Sequence, residues 1–115
     1  MVVGQGEVWW TDIGEPRGSE PGFRRPVIVV QGDAFNRSRI ETVVCIPLTT
    51  TLKWADAPGN TLLSQRDTGL SKPSVANVSQ IVTLDRSILS ERVGKLSPRT
   101  LLLVLQGIDV VLGRG

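Results

Sequence analysis

Residues 26–31, PVIVVQ, are an almost unbroken run of β-branched apolar side chains. No other stretch constrains the fold as strongly. A strand with one wet face alternates apolar and polar residues, and a strand that does not alternate is buried on both faces. Pro26 opens the run, where its missing N–H does least damage to a ladder. Just before it, a Gly/Pro/charged loop over residues 14–25 ends in Arg24 and Arg25. A residue preceding proline is driven into extended geometry, so Arg25 is held stiffly at the mouth of a buried strand. Strand alternation sends Arg24 the other way. On pattern alone the two arginines read as solvated charges balanced by Glu15 or Glu20, with a fixed cation at a site as the competing reading.

The rest of the chain supplies cover for that strand. GEVWWTDI (residues 6–13) reads as a strand, with Val8 and Trp10 on one face and Glu7 and Trp9 on the other. One of the two tryptophans is expected in the core and one at a dimer surface. IETVVCIPL (40–48), TLLSQ (61–65), SVANVSQIVTL (74–84) and RVGKL (92–96) read as further strands, with GDAFNRSR as a turn. Pro58-Gly59-Asn60 is a turn signal, and DRSILSE suggests one short helical turn. The clear helix is the last element: Ser97 as N-cap, Pro98 at the first helical position, then RTLLLVLQGIDVVL. Leu101, Val104, Leu105, Ile108 and Leu112 form its core stripe, while Leu103, Val110 and Val111 fall partly outside it. A helix apolar over so much of its circumference is expected to pack on a second chain, with overpacking of its own core as the competing reading. The pattern predicts an α+β, mainly β fold: a small, strongly bent barrel of short, mostly antiparallel strands with a C-terminal helix. With 115 residues and no repeat, linker or low-complexity tract, one domain spanning 1–115 is expected.

Composition removes several chemistries. The chain has no histidine, which excludes Ser-His and Cys-His nucleophile pairs and most zinc sites. Scattered carboxylates (Asp12, Glu15, Glu20, Asp33) show no metal-binding spacing, and Cys45 in TVVCIPL reads as a small buried hydrophobe. Chemistry must then rest on Arg, Lys, Thr, Ser or carboxylates. A net charge of +2 permits binding to a phosphate backbone without requiring it. No apolar run reaches membrane-spanning length and no signal-peptide pattern opens the chain, so a cytoplasmic protein without membrane contact is expected. Thr49, Thr50 and Thr51 end an apolar strand where hydroxyls can face a cleft, or serve only as strand-end residues; Ser19 and Glu20 either meet a ligand or close a turn.

The ordered set GEVWWTD, PRGSEPGFRRPVIVVQ, NRSR, VVCIPLTT, PGNTLL, SVANVSQIVTLDRSIL and VGKLS resembles the MazF/PemK family of toxins over nearly the whole chain. The resemblance implies a homodimer with an SH3-like barrel, and a sequence-specific endoribonuclease that cuts single-stranded RNA without metal or other cofactor. It places the catalytic arginine at Arg25 and the catalytic threonine at Thr49, with a one-residue shift to Thr50 left open. It places the first-loop serine at Ser19 and an RNA-contacting glutamine at Gln80. It also implies 2′,3′-cyclic phosphate and 5′-hydroxyl products, and a cognate antitoxin whose acidic and apolar peptide covers the RNA groove. Pro21 stands where the family often carries glutamine.

The residues suit such chemistry. RNA brings its own nucleophile, the 2′-hydroxyl, so the protein must orient the strand and stabilise charge on the phosphorane oxygens. Arg25 offers permanent charge and several donors. Stacking surfaces and edge donors for bases are expected from Arg17, Glu20, Phe23, Arg24, Trp54, Lys72, Asn77 and Gln80. The rival readings are a CcdB-like toxin that binds DNA gyrase without hydrolysis, and an RNA-binding module with a degenerate site.

Overall fold

Strand β2 (Arg24–Val29) carries the apolar run, and the sheet is built outward from it. The computed structural model describes residues 2–12 and 24–114. On one edge β2 pairs with β1 (Glu7–Asp12), setting Pro26 opposite Trp10 and Arg25 opposite Thr11. On its other edge lies β3 (Thr42–Thr49), with Val27 opposite Pro47. The outer edge of β1 takes β7 (Leu89–Lys95) through an irregular register. The outer edge of β3 holds two short strands end to end. Thr42–Cys45 pairs with β6 (Val82–Asp85), and Leu48–Thr49 pairs with β5 (Ser74–Ala76), on which β4 (Thr61–Leu63) closes. All these pairings are antiparallel, and the sheet curls into a half-barrel finished by a C-terminal helix, the expected α+β, mainly β class.

Both faces of β2 are buried, as its sequence predicts. Val27 and Val29 join Trp9, Val43, Cys45 and Leu84 on one side. Ile28 and Val30 join Val8, Ile46, Leu48 and Val104 on the other. The second cluster is roofed by α3 (Pro98–Val111), whose Ser97 cap accepts the Thr100 N–H at 3.2 Å. Val104 and Gly107 are buried, and Leu101, Leu105 and Ile108 pack partly against the core. Gly107 meets the Pro58-Gly59-Asn60 turn so closely that a Cβ there would run into the Gly59 carbonyl oxygen. Gly59 itself has φ +80°, a left-handed turn position that favours glycine. No helix among the described residues is long and apolar enough to cross a membrane.

Several expectations are corrected. The run 74–84 is not one strand: after Ala76 it makes a 3₁₀ turn, Val78–Gln80, before β6 begins. The Asn77 N–H goes to the Pro47 carbonyl (3.1 Å) and the Val78 N–H to the Asn60 side-chain oxygen (3.0 Å). These bonds take the chain off the ladder while Val78 stays buried in the cluster roofed by α3. The strand at 61–65 stops at Leu63, because Ser64 caps a short helix, α2 (Gln65–Thr68). Ser64 and Asp67 exchange reciprocal bonds there, a capping box. The GDAFNRSR turn contains a short helix, α1 (Asp33–Asn36). The turn at DRSILSE is confined to Arg86–Ile88, and β7 starts at Leu89 rather than at 92. Leu112 leaves the core stripe at 62% exposure, since α3 ends at Val111 and Ile108 is the last stripe residue packed on the core.

Candidate active site

Where β2 begins and β3 ends, the sheet opens into a groove of about 540 Å³. Pro26 fixes the entry of β2, and Arg25 immediately before it lines the groove. Continuing the β2–β3 register two residues beyond the Val27–Pro47 pair sets Arg25 opposite Thr49. Two residues that lie 24 positions apart in the chain thus come together at one strand end. Thr49 also accepts the Thr51 N–H at 3.2 Å, which turns the threonine run along the groove wall.

The remaining wall is the segment after α2. Gly69, with φ +84°, ends that helix, and the buried Thr68 hydroxyl takes the Leu70 N–H at 3.0 Å. This aims Leu70, Ser71 and Lys72 into the lining, followed by Ser74 at the start of β5. The floor is apolar, made of Trp10, Pro26, Leu48 and Leu70, and the rim holds Arg24, Arg25, Lys72 and hydroxyls. No carboxylate stands in the lining among the described residues. The Arg24 guanidinium lies over the Trp10 ring at 4.8 Å and pairs with Glu91 at 3.6 Å. A site of this composition suits an anionic ligand with flat apolar parts: cations and hydroxyls for its charge, an aromatic floor for its rings.

Of the residues singled out from sequence, Arg24, Arg25, Thr49, Thr50, Thr51 and Lys72 line this one groove. Asn77 and Gln80 are not in its lining. Asn77 caps the 3₁₀ turn near α3 and Gln80 ends it, and the Asn77 side-chain oxygen receives the Asn60 amide at 3.4 Å. Arg17, Ser19, Glu20 and Phe23 lie outside the described residues. Trp54 sits on a separate 3₁₀ turn (Leu52–Asp56) with the Lys53 ammonium 5.3 Å from its ring, and is not in the lining. Trp10, Leu70, Ser71 and Ser74 line the groove without having been singled out for it. The Ser-x-x-Asp capping box at 64–67 is the signal that marks where the segment carrying Leu70, Ser71 and Ser74 leaves the strand. Cys45 is in the core, where burial pushes its thiol from 9.0 up to about 12. Among the described residues no three His, Cys, Asp or Glu side chains gather as metal ligands.

The model of the PemK-like, MazF-like toxins of type II toxin–antitoxin systems matches residues 4–112. Endoribonuclease MazF2 of Mycobacterium bovis and Endoribonuclease MazF6 of Mycobacterium tuberculosis are each 41% identical over 112 residues, covering 97% of this chain and 98% of theirs. Endoribonuclease EndoA of Bacillus subtilis is 31% identical over 96 residues, covering 84% and 82%. Among solved structures, MazF from Deinococcus radiodurans superposes with a TM-score of 0.81 at 25% identity over 98% of each chain. A mycobacterial endoribonuclease in complex with its cognate antitoxin shares the fold, with a TM-score of 0.75 at 24% identity over 99% of this chain and 96% of that one. With the groove, the curled sheet and a family match over nearly the whole chain in agreement, the chain belongs to the PemK-like, MazF-like toxins of type II toxin–antitoxin systems.

Proposed function

We propose that this chain is a sequence-specific, metal-independent endoribonuclease toxin that cleaves single-stranded RNA in the groove between β2 and β3. The observation that carries the reading is that Arg25 and Thr49 line one groove together with further cations and hydroxyls. The RNA 2′-oxygen gives up its proton and attacks the adjacent phosphorus. The bond to the 5′-oxygen breaks, and that oxygen leaves with a proton, giving a 2′,3′-cyclic phosphate and a 5′-hydroxyl. Arg25 is the catalytic residue that neutralises charge growing on the phosphoryl oxygens, with Thr49 as a neutral donor beside it. The family resemblance assigns Ser19 a further neutral-donor role in the same chemistry. Lys72 and Arg24 hold the strand electrostatically, and Arg17, Glu20, Phe23, Asn77 and Gln80 contribute base and backbone contacts as the sequence suggests.

The toxin acts as a homodimer in the cytoplasm, with the exposed apolar residues of α3 covered by a second copy. Relatives named MazF occur in solved complexes with MazE, and here a cognate antitoxin segment of acidic and apolar residues covers the cationic, apolar-floored groove. The family match and the Arg25–Thr49 pair favour the nuclease over a gyrase-binding toxin, which has no need of that pair.

Incubation of the purified protein with single-stranded RNA in EDTA, followed by mapping of the ends, tests the reading. Cleavage is expected to yield cyclic phosphate termini, to vanish in Arg25→Ala and to slow in Thr49→Ala. RNA left intact by the wild-type protein overturns it. Gyrase trapping would then support the CcdB-like reading, and binding without cutting the degenerate module.

A further inference from the structure

Trp10, Arg24 and Glu91 share one face of the sheet. Trp10 stands opposite Pro26 on β2 and opposite Glu91 on β7, and Arg24, two residues before Pro26, returns to the same face. There the Arg24 guanidinium lies 4.8 Å from the centre of the indole, and one of its nitrogens lies 3.6 Å from a Glu91 oxygen. The indole is half-buried and lines the groove beside Pro26, Leu48 and Leu70. A flat cation therefore covers a flat aromatic surface in the groove that would hold RNA.

The cover is loosely held. At 3.6 Å the ion pair is too long for a hydrogen bond, and its side chains are 57% and 67% exposed. An exposed cation–π contact strengthens an association by only about two- to fivefold. A nucleobase stacked on an aromatic side chain strengthens binding by roughly five- to a hundredfold. A base outcompetes the guanidinium for the ring, and the displaced cation stays within reach of the RNA backbone.

We propose that Trp10 is a base-stacking subsite, occupied by Arg24 in the free protein with Glu91 as the tether, and that an unpaired base of the RNA displaces Arg24, which turns to a neighbouring phosphate. The proposal rests on the RNA-cleaving function proposed above and adds the side chain that receives a base. Glu91 is a positioning residue that sets how readily the subsite opens.

Binding is measured in the Arg25→Ala background, with a fluorescently labelled single-stranded RNA carrying the mapped cleavage site and abasic nucleotides substituted one at a time. One abasic position is expected to weaken binding about tenfold, a penalty kept in Trp10→Phe and lost in Trp10→Leu. Glu91→Gln is expected to tighten binding of the intact RNA about threefold more than binding of RNA abasic at that position. Equal tightening of both RNAs marks a general charge effect and overturns the proposal, as does an abasic scan with no position sensitive to Trp10. If Trp10→Leu does not fold, the Glu91→Gln comparison decides alone, because that exposed side chain leaves the core untouched. A wild-type chain that neither binds nor cuts RNA overturns the functional reading itself; cutting with no Trp10-dependent base overturns only the subsite.

Discussion

Arg25 is placed by covalent geometry before any packing acts. Proline at 26 restricts the backbone of the residue ahead of it, and the β-branched run that follows anchors that backbone in the core. A guanidinium presented in this way loses little freedom when it meets a phosphate, and its planar fork is not matched by an ammonium. Arg25→Lys is therefore expected to fold normally yet lose about a hundredfold or more in cleavage rate, read by single-turnover kinetics. Thr49→Ala should slow cleavage more than Thr50→Ala, since the β2–β3 register, extended two residues, sets Thr49 opposite Arg25 while Thr50 lies past the end of β3. The reverse order would move the catalytic threonine one place along the chain. Cys45 offers a different residue-scale test. Burial raises its thiol to about 12, so the neutral form is favoured in the folded protein. The stabilisation is fully present below the ordinary thiol value of 9.0 and is lost as pH rises from there towards about 12. A thiol reagent at mildly alkaline pH should leave the native protein unlabelled and label it fully in denaturant, whereas rapid labelling of the native protein would contradict the burial.

At the scale of elements, two contacts hold the outer pieces to the sheet. Glu7 on β1 is an ionic knot. Burial alone would raise its carboxyl, but the Gly4 N–H at 2.8 Å, the Trp9 indole N–H at 3.1 Å and Arg92 on β7 at 3.0 Å together hold it below 4.5. A lowered carboxylate contributes stability above its unfolded value, and this is lost as pH falls through the folded one. Urea midpoints of the wild type are thus expected to drop below about pH 4.5, and Glu7→Gln to be less stable at neutral pH with a shallower acid decline. Identical slopes would show that Glu7 is not the group responsible. The second contact is α3 on the Gly59 turn. Gly107→Ala places a methyl against the Gly59 carbonyl oxygen and should cost about 1–3 kcal/mol, visible as a lower melting temperature, despite alanine's better helix propensity.

For the whole molecule, the sheet is covered twice but the helix only once. Leu102, Leu103 and Val110 remain 54%, 49% and 48% exposed on α3. A second copy packed there would bury them and bring two grooves into one assembly. Leu103→Glu is accordingly expected to shift the mass in sedimentation from dimer to monomer at micromolar concentration while the circular dichroism of the fold is retained. A monomeric wild type would remove the dimer from the reading.

The features legible in the sequence are those decided within a few bonds of the residue concerned. The PVIVVQ run specifies a strand buried on both faces, Ser97 and Pro98 specify where the helix starts, and Pro58-Gly59-Asn60 specifies a turn. The arginine before Pro26 and the threonines after β3 stand out because strand ends and proline impose local geometry. What remained hidden depends on where β3 meets its neighbours. The apolar alternation over 74–84 does not reveal that the chain leaves the ladder after Ala76, because Val78 is buried against the core cluster under α3 and so stays apolar whether it sits in a strand or a 3₁₀ turn. Nor does it reveal that the stretch after α2 folds into the groove, since Leu70, Ser71 and Ser74 are unremarkable until β5 pairs with β3. Local chemistry by itself determined which residues are stiff, buried or charged. Only the tertiary structure decided which of them meet, because a cross-strand register fixes contacts between positions that the chain's own spacing leaves free.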